Sequence, residues 1–135
     1  MAAKDMWGDF QLEAIRTPVQ ILREQAAALG PKTRNLVIAE VNTSASSPRF
    51  DFEEKLFTHQ LKLVVPSLDD YRFSLLSLSH DIELYPVSFE YLANGVKMDV
   101  ASEEELNEVL QKFLSAPKTK RIISSLLGQV SSIAS

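Results

Sequence analysis

Residues 87–100 read Val-Ser-Phe-Glu-Tyr-Leu-Ala-Asn-Gly-Val-Lys-Met-Asp-Val. Apolar and polar residues alternate on both sides of Asn94-Gly95, a pair that favours a tight hairpin turn because both residues tolerate positive φ. A two-residue turn there pairs Ala93 with Val96, Tyr91 with Met98 and Phe89 with Val100, all apolar and all on one face. The other face pairs Leu92 with Lys97 and Glu90 with Asp99. That last pair is like-charged, so a neighbouring cation is expected. One face of this hairpin therefore belongs to a core and the other to solvent.

Working back from the hairpin, Ile82 to Leu92 reads as one strand, with Tyr85, Val87, Phe89 and Tyr91 on a common face. Pro86 inside it implies a bulge or an edge. Tyr71 to Ser79, rich in Leu and Ser, is the strand before, and His80-Asp81 is the reversal between them. Phe57 to Val65 alternates cleanly: Phe57, His59, Leu61, Leu63 and Val65 point one way, and Pro66 ends the run. Leu36 to Val41 is short, branched and apolar, as a buried strand is. The small polar stretch Asn42 to Pro48 reads as a loop between two strands.

Helices flank this β region. Thr17 caps a helix from Pro18 to about Leu29, with Pro at its first position and Gln20 completing a capping box. Val19, Leu22, Ala26 and Leu29 share a face, and Gly30-Pro31 is the expected stop. Residues 9–16 add a preceding turn, in which Phe10, Leu12 and Ile15 seek cover. Ser102 and Glu105 form a second capping box, and Leu106, Val109, Leu110, Phe113 and Leu114 make the apolar stripe that follows. Pro117 breaks that helix. A last helix begins near Thr119 and carries Ile122, Ile123, Leu126, Leu127, Val130 and Ile133, with Gly128 weakening its middle.

The order is one helix, about five mostly antiparallel strands, then two helices, which defines an α+β fold with the helices packed on one face of one sheet. With 135 residues, 45% of them hydrophobic, one domain spans residues 1–135, with 1–16 as a candidate mobile N-terminal segment. The absence of cysteine excludes disulfides, thiolate metal sites and cysteine nucleophiles. Fourteen basic and eighteen acidic residues leave a net charge of −4, so no nucleic-acid partner is expected. No stretch resembles a signal peptide or a bilayer-spanning helix, and the expected compartment is the cytoplasm.

No motif names a reaction. The four glycines are dispersed, which removes Rossmann and P-loop phosphate cradles. No metal-ligand spacing appears, so neither metal nor cofactor is expected. The candidate chemistry rests on two histidines. His59 lies on an otherwise apolar strand face. His80 lies at a turn beside Asp81, which could orient it for general-base work. With Arg72 and Tyr85 these make the set for a small cofactor-independent enzyme or ligand-binding protein using a pocket between sheet and helices.

The favoured expectation is instead a small non-enzymatic interaction module that binds another protein or itself, acting as an accessory, immunity or antitoxin-like partner. Its surface would be an exposed sheet edge or the charge-poor last helix, and its interface residues Tyr85, Tyr91, Ile122, Leu126, Val130 and Ile133, with a homodimer as one form. Association of residues 118–134 with a membrane surface is the less favoured reading of the same helix.

Overall fold

Thr17 takes extended backbone angles and its side chain accepts the amide of Gln20 at 3.2 Å, opening helix α1 (Pro18–Lys32) as its capping residues dictate. The structure, a computed structural model, describes residues 4–10, 16–46 and 56–134. Five strands follow α1: β1 (Ile38–Ser46), β2 (Leu56–Val65), β3 (Tyr71–His80), β4 (Val87–Tyr91) and β5 (Val96–Val100). Two helices, α2 (Glu103–Leu114) and α3 (Pro117–Ala134), end the described chain. The strands pair in the order β1-β2-β3-β4-β5, each antiparallel to its neighbour, so one meandering sheet holds all five.

The α+β architecture is as the sequence implies. Several boundaries differ, each for a local reason. Gly30-Pro31 does not stop α1, which runs to Lys32 with Pro31 in its last turn. A proline there forfeits only its own amide, and Thr33 then closes the helix. The Thr33 amide donates to the Gly30 carbonyl at 3.1 Å, and its hydroxyl donates to the Val37 carbonyl at 2.7 Å. The buried face of α1 is Ile21, Leu22 and Ala26, with Val19 and Leu29 half-buried.

The expected loop at Asn42 begins instead as strand: β1 continues to Ser46, with Asn42 opposite Gln60, Thr43 opposite His59 and Ser44 opposite Thr58. Pairing with a neighbour overrides the loop-like composition. Ser47 and Pro48, like Leu12 and Ile15, lie outside the described residues. Phe10 does not find cover and is exposed.

The hairpin register is shifted by two residues from the expected one. Tyr91 pairs with Val96, Phe89 with Met98, and Val87 with Val100. The loop has four residues, Leu92 to Gly95, in which the Gly95 amide donates to the Tyr91 carbonyl at 2.9 Å and the Asn94 side chain accepts the Val96 amide at 3.2 Å. Gly95 alone takes positive φ there, at 78°, so the turn is not the two-residue form that needs it twice. A shift by two keeps every side chain on its expected face. It also places Glu90 opposite Lys97 rather than Asp99, which removes the like-charge clash.

Strand β4 starts after Pro86, not at Ile82. The Tyr85–Pro86 bond is cis, and Ile82 is 81% exposed in the irregular connection before it. Helix α3 starts at Pro117 itself, the position proline suits.

In β3 the pairing jumps from Leu61–Leu76 to Lys62–Ser74, leaving Leu75 as an extra residue. This bulge lets both Leu75 and Leu76 turn inward, and both are fully buried. They join Leu61, Leu63, Leu78, Val87, Phe89 and Tyr91 in the core under Ile21 and Leu22 of α1, Leu106, Leu110 and Phe113 of α2, and Leu126 and Val130 of α3. The Phe113 ring lies 5.0 Å from the rings of both Phe89 and Tyr91, tilted to each. The opposite sheet face carries Thr58, Gln60, Ser77, Ser79, Ser88, Glu90, Lys97 and Asp99 and bears no described helix.

Candidate functional site

The two histidines meet. His59 on β2 pairs with Leu78, and His80 on β3 pairs with Phe57, so the two side chains are diagonal neighbours on the helix-covered face. Their Nε2 atoms lie 2.8 Å apart, and they are 3% and 6% exposed. The Phe57 ring stacks on His80 at 5.6 Å. Thr43 Oγ1 stands 2.9 Å from His59 Nδ1, and the Asp81 carbonyl 2.7 Å from His80 Nδ1.

These four groups fix the protons. A carbonyl only accepts, so His80 carries hydrogen on Nδ1 and, when neutral, presents a bare Nε2. His59 must then donate from Nε2 and accept at Nδ1 from the Thr43 hydroxyl. The chain runs in one direction, Thr43 to His59 to His80 to the Asp81 carbonyl, with each ring nitrogen partnered. A charged His59 is disfavoured by its burial, and the neighbouring His80 and Arg23 add to the effect, bringing its pKa down to about 4.

The other members of the expected catalytic set are placed elsewhere. The Asp81 carboxylate turns away and accepts the Glu83 amide at 2.8 Å. Arg72 forms an ion pair with Glu40. Tyr85 lies near Glu103 and Arg16, and burial, then the Glu103 charge, raises its pKa. Its hydroxyl is buried without a hydrogen-bond partner among the described residues. Among the described residues no three His, Asp or Glu side chains are placed to hold a metal ion.

Of the expected interface residues, Tyr91, Leu126 and Val130 are buried in this chain's own core. Ile122 and Tyr85 are partly buried, and Ile133 is 67% exposed. The Tyr91 hydroxyl lies 2.5 Å from Thr119 Oγ1, which donates to the Phe113 carbonyl at 2.7 Å. Since Thr119 has one hydrogen to give, Tyr91 is the donor between them. Thr119 thus ties β4, the end of α2 and the first turn of α3 together. Its burial, though not its partners, has a signal in the sequence: it precedes Ile122 and Leu126 by three and seven residues, on the same helical stripe.

The sheet has two margins, and they differ. The β5 margin is five residues long, carries Lys97 and Asp99, and runs directly into α2. The β1 margin is nine residues long, and its one charged residue, Glu40, is already paired with Arg72. Asn42 to Ala45 are exposed and uncharged. Thr43, the outer end of the histidine chain, stands within this stretch.

No protein family, no curated protein and no solved structure matches this chain. No helix among the described residues is long and apolar enough to cross a membrane.

Proposed function

We propose that this protein is a non-enzymatic interaction module that pairs through the β1 edge with the β1 strand of a second copy. One observation carries the reading: β1 is a long strand at the sheet margin whose residues 41–46 contain neither charge nor proline. An unpaired edge presents a row of amide and carbonyl groups to any strand that meets it, and proteins that stay apart blunt such edges with lysine, proline or short length. The β5 margin shows that blunting and the β1 margin does not. Antiparallel pairing of β1 with its own copy about a two-fold axis is self-complementary and joins two five-stranded sheets into one of ten strands. The satisfied histidine chain behind Thr43 supports the same reading, since it orders the strand from within and leaves neither histidine an open nitrogen for a substrate.

The test is the mass in solution by light scattering, with Asn42→Lys/Ser44→Lys as the variant. Both substitutions lie on the face opposite the core and leave the fold's apolar contacts alone. A wild-type dimer that becomes a folded monomer in the variant supports the proposal. A monomeric wild type at high micromolar concentration, or a dimer indifferent to the two lysines, overturns it.

A further inference from the structure

Away from the histidines and the β1 edge, a cleft of about 480 Å³ opens between the second half of α1, the sheet and the corner where α2 meets α3. That volume lies in the range of small-molecule sites. Leu61, Leu63 and Leu75 close its floor but are themselves 1–2% exposed, so the half-buried Leu29, Leu114 and Ile123 supply its accessible apolar surface. The bulge in β3 supplies one floor residue directly, because Leu75 turns inward only through it. No aromatic ring lines the cleft, so nothing there favours a planar ligand by stacking.

The mouth has a different character. Gln25, Asn107 and Gln111 bring amide groups to it, and Lys32 is the sole charged residue of the lining. No acid lines the cleft, and Lys32 forms no ion pair among the described residues. The end of α1 accounts for a cation at position 32. It does not account for a cation standing over an apolar cleft with neutral amides around it. That combination of aliphatic interior, hydrogen-bond donors and one positive charge at the rim is complementary to an unbranched aliphatic chain ending in a single negative group.

We infer that this cleft binds a medium-chain aliphatic carboxylate, its chain against Leu29, Leu114 and Ile123 and its carboxylate at Lys32. The bound carboxylate gains a charge-assisted pair with the Lys32 ammonium and donors from the amide side chains. The aliphatic chain gains the burial that the cleft offers. The cleft touches β1 at Ala39, two residues before the uncharged stretch that begins at Val41, and the inference rests on none of the residues of that stretch.

The experiment is calorimetric titration of the full chain with sodium decanoate below its micelle concentration, and with decanol as the uncharged probe. Three proteins are compared: wild type, Lys32→Ala and Ala28→Phe. Ala28 is exposed at the cleft, so a phenyl group there obstructs entry without disturbing the core. The expected result is saturable binding of one decanoate, weakened roughly tenfold by Lys32→Ala, the equivalent of one charge-assisted bond. Ala28→Phe abolishes it while circular dichroism stays unchanged, and decanol does not distinguish wild type from Lys32→Ala. No saturable binding to the wild type overturns the inference. So does decanoate binding that ignores both substitutions, which marks detergent-like adsorption, or decanol binding as tight as decanoate, which removes the role of the charge. Light scattering on the same samples keeps any change in oligomeric state separate.

Discussion

His59 donates its Nε2 hydrogen to His80 Nε2 over 2.8 Å, across two adjacent strands and inside the helix-covered core. Burial of His59, with the neighbouring His80 adding to it, makes the stability of the fold depend on pH. An unfolded His59 takes up a proton near pH 6.5, whereas the folded one resists until about 4. The unfolded state therefore binds more protons between those values, and stability falls as pH falls. The stabilisation is complete above pH 6.5. From pH 7 to pH 5 the loss reaches at most about 2 kcal/mol for a shift of this size. Urea unfolding at pH 7, 6 and 5 measures it. His59→Gln is less stable at pH 7 but has a shallower slope, and an identical slope in the two proteins would exclude His59 as its source.

Removing the Tyr91 hydroxyl and removing its acceptor are unequal changes. Tyr91→Phe leaves Thr119 still donating to the Phe113 carbonyl, and a cost of about 1 kcal/mol is expected. Thr119→Val leaves the Tyr91 hydroxyl without its acceptor in a buried site, while the Phe113 carbonyl keeps the Ala116 amide, and the expected cost is about 2 kcal/mol. Equal losses in denaturant midpoint would show that Thr119 is not the link.

The hairpin register is testable by charge. With Glu90 opposite Lys97, Lys97→Glu creates a cross-strand repulsion worth about 0.5–1 kcal/mol. Adding Glu90→Lys restores most of it, and the double-mutant cycle gives a favourable coupling. Asp99→Lys, which would pair with Glu90 in a two-residue turn, shows no comparable coupling to Glu90→Lys.

Two glycines respond in opposite directions to alanine. Gly95 holds φ at 78° in the hairpin loop, and alanine there costs about 1 kcal/mol. Gly128 lies inside α3 with open space where a Cβ would be, and alanine there stabilises by about 0.5–1 kcal/mol. Thermal unfolding of the two single variants checks both signs.

The fold was readable because its local signals agree. Thr17 and Ser102 cap helices α1 and α2, the apolar stripes have helical spacing, and Val87, Phe89 and Tyr91 alternate as a half-buried strand must. What sequence could not supply was pairing. Thr43 sits in a stretch whose composition reads as loop, and only its place opposite His59 makes it strand and a hydrogen-bond partner. The meeting of His59 with His80 depends on the same register. His59 is legible as a histidine on an apolar face, but its neighbour is not, because His80 beside Asp81 reads as a reversal rather than as the end of β3. The Leu75 bulge had a faint signal, two adjacent leucines in a strand that otherwise alternates leucine with serine.

The meandering strand order has a consequence for how this chain comes into being. Each strand needs only the one synthesised just before it, so the sheet can assemble step by step during translation with little loop-closure entropy to overcome. Its greasy side is finished last. A chain that ends before α2 lacks the cover that Leu106, Leu110, Phe113, Leu126 and Val130 give to Leu76, Phe89 and Tyr91, and exposed apolar surface of that kind promotes aggregation.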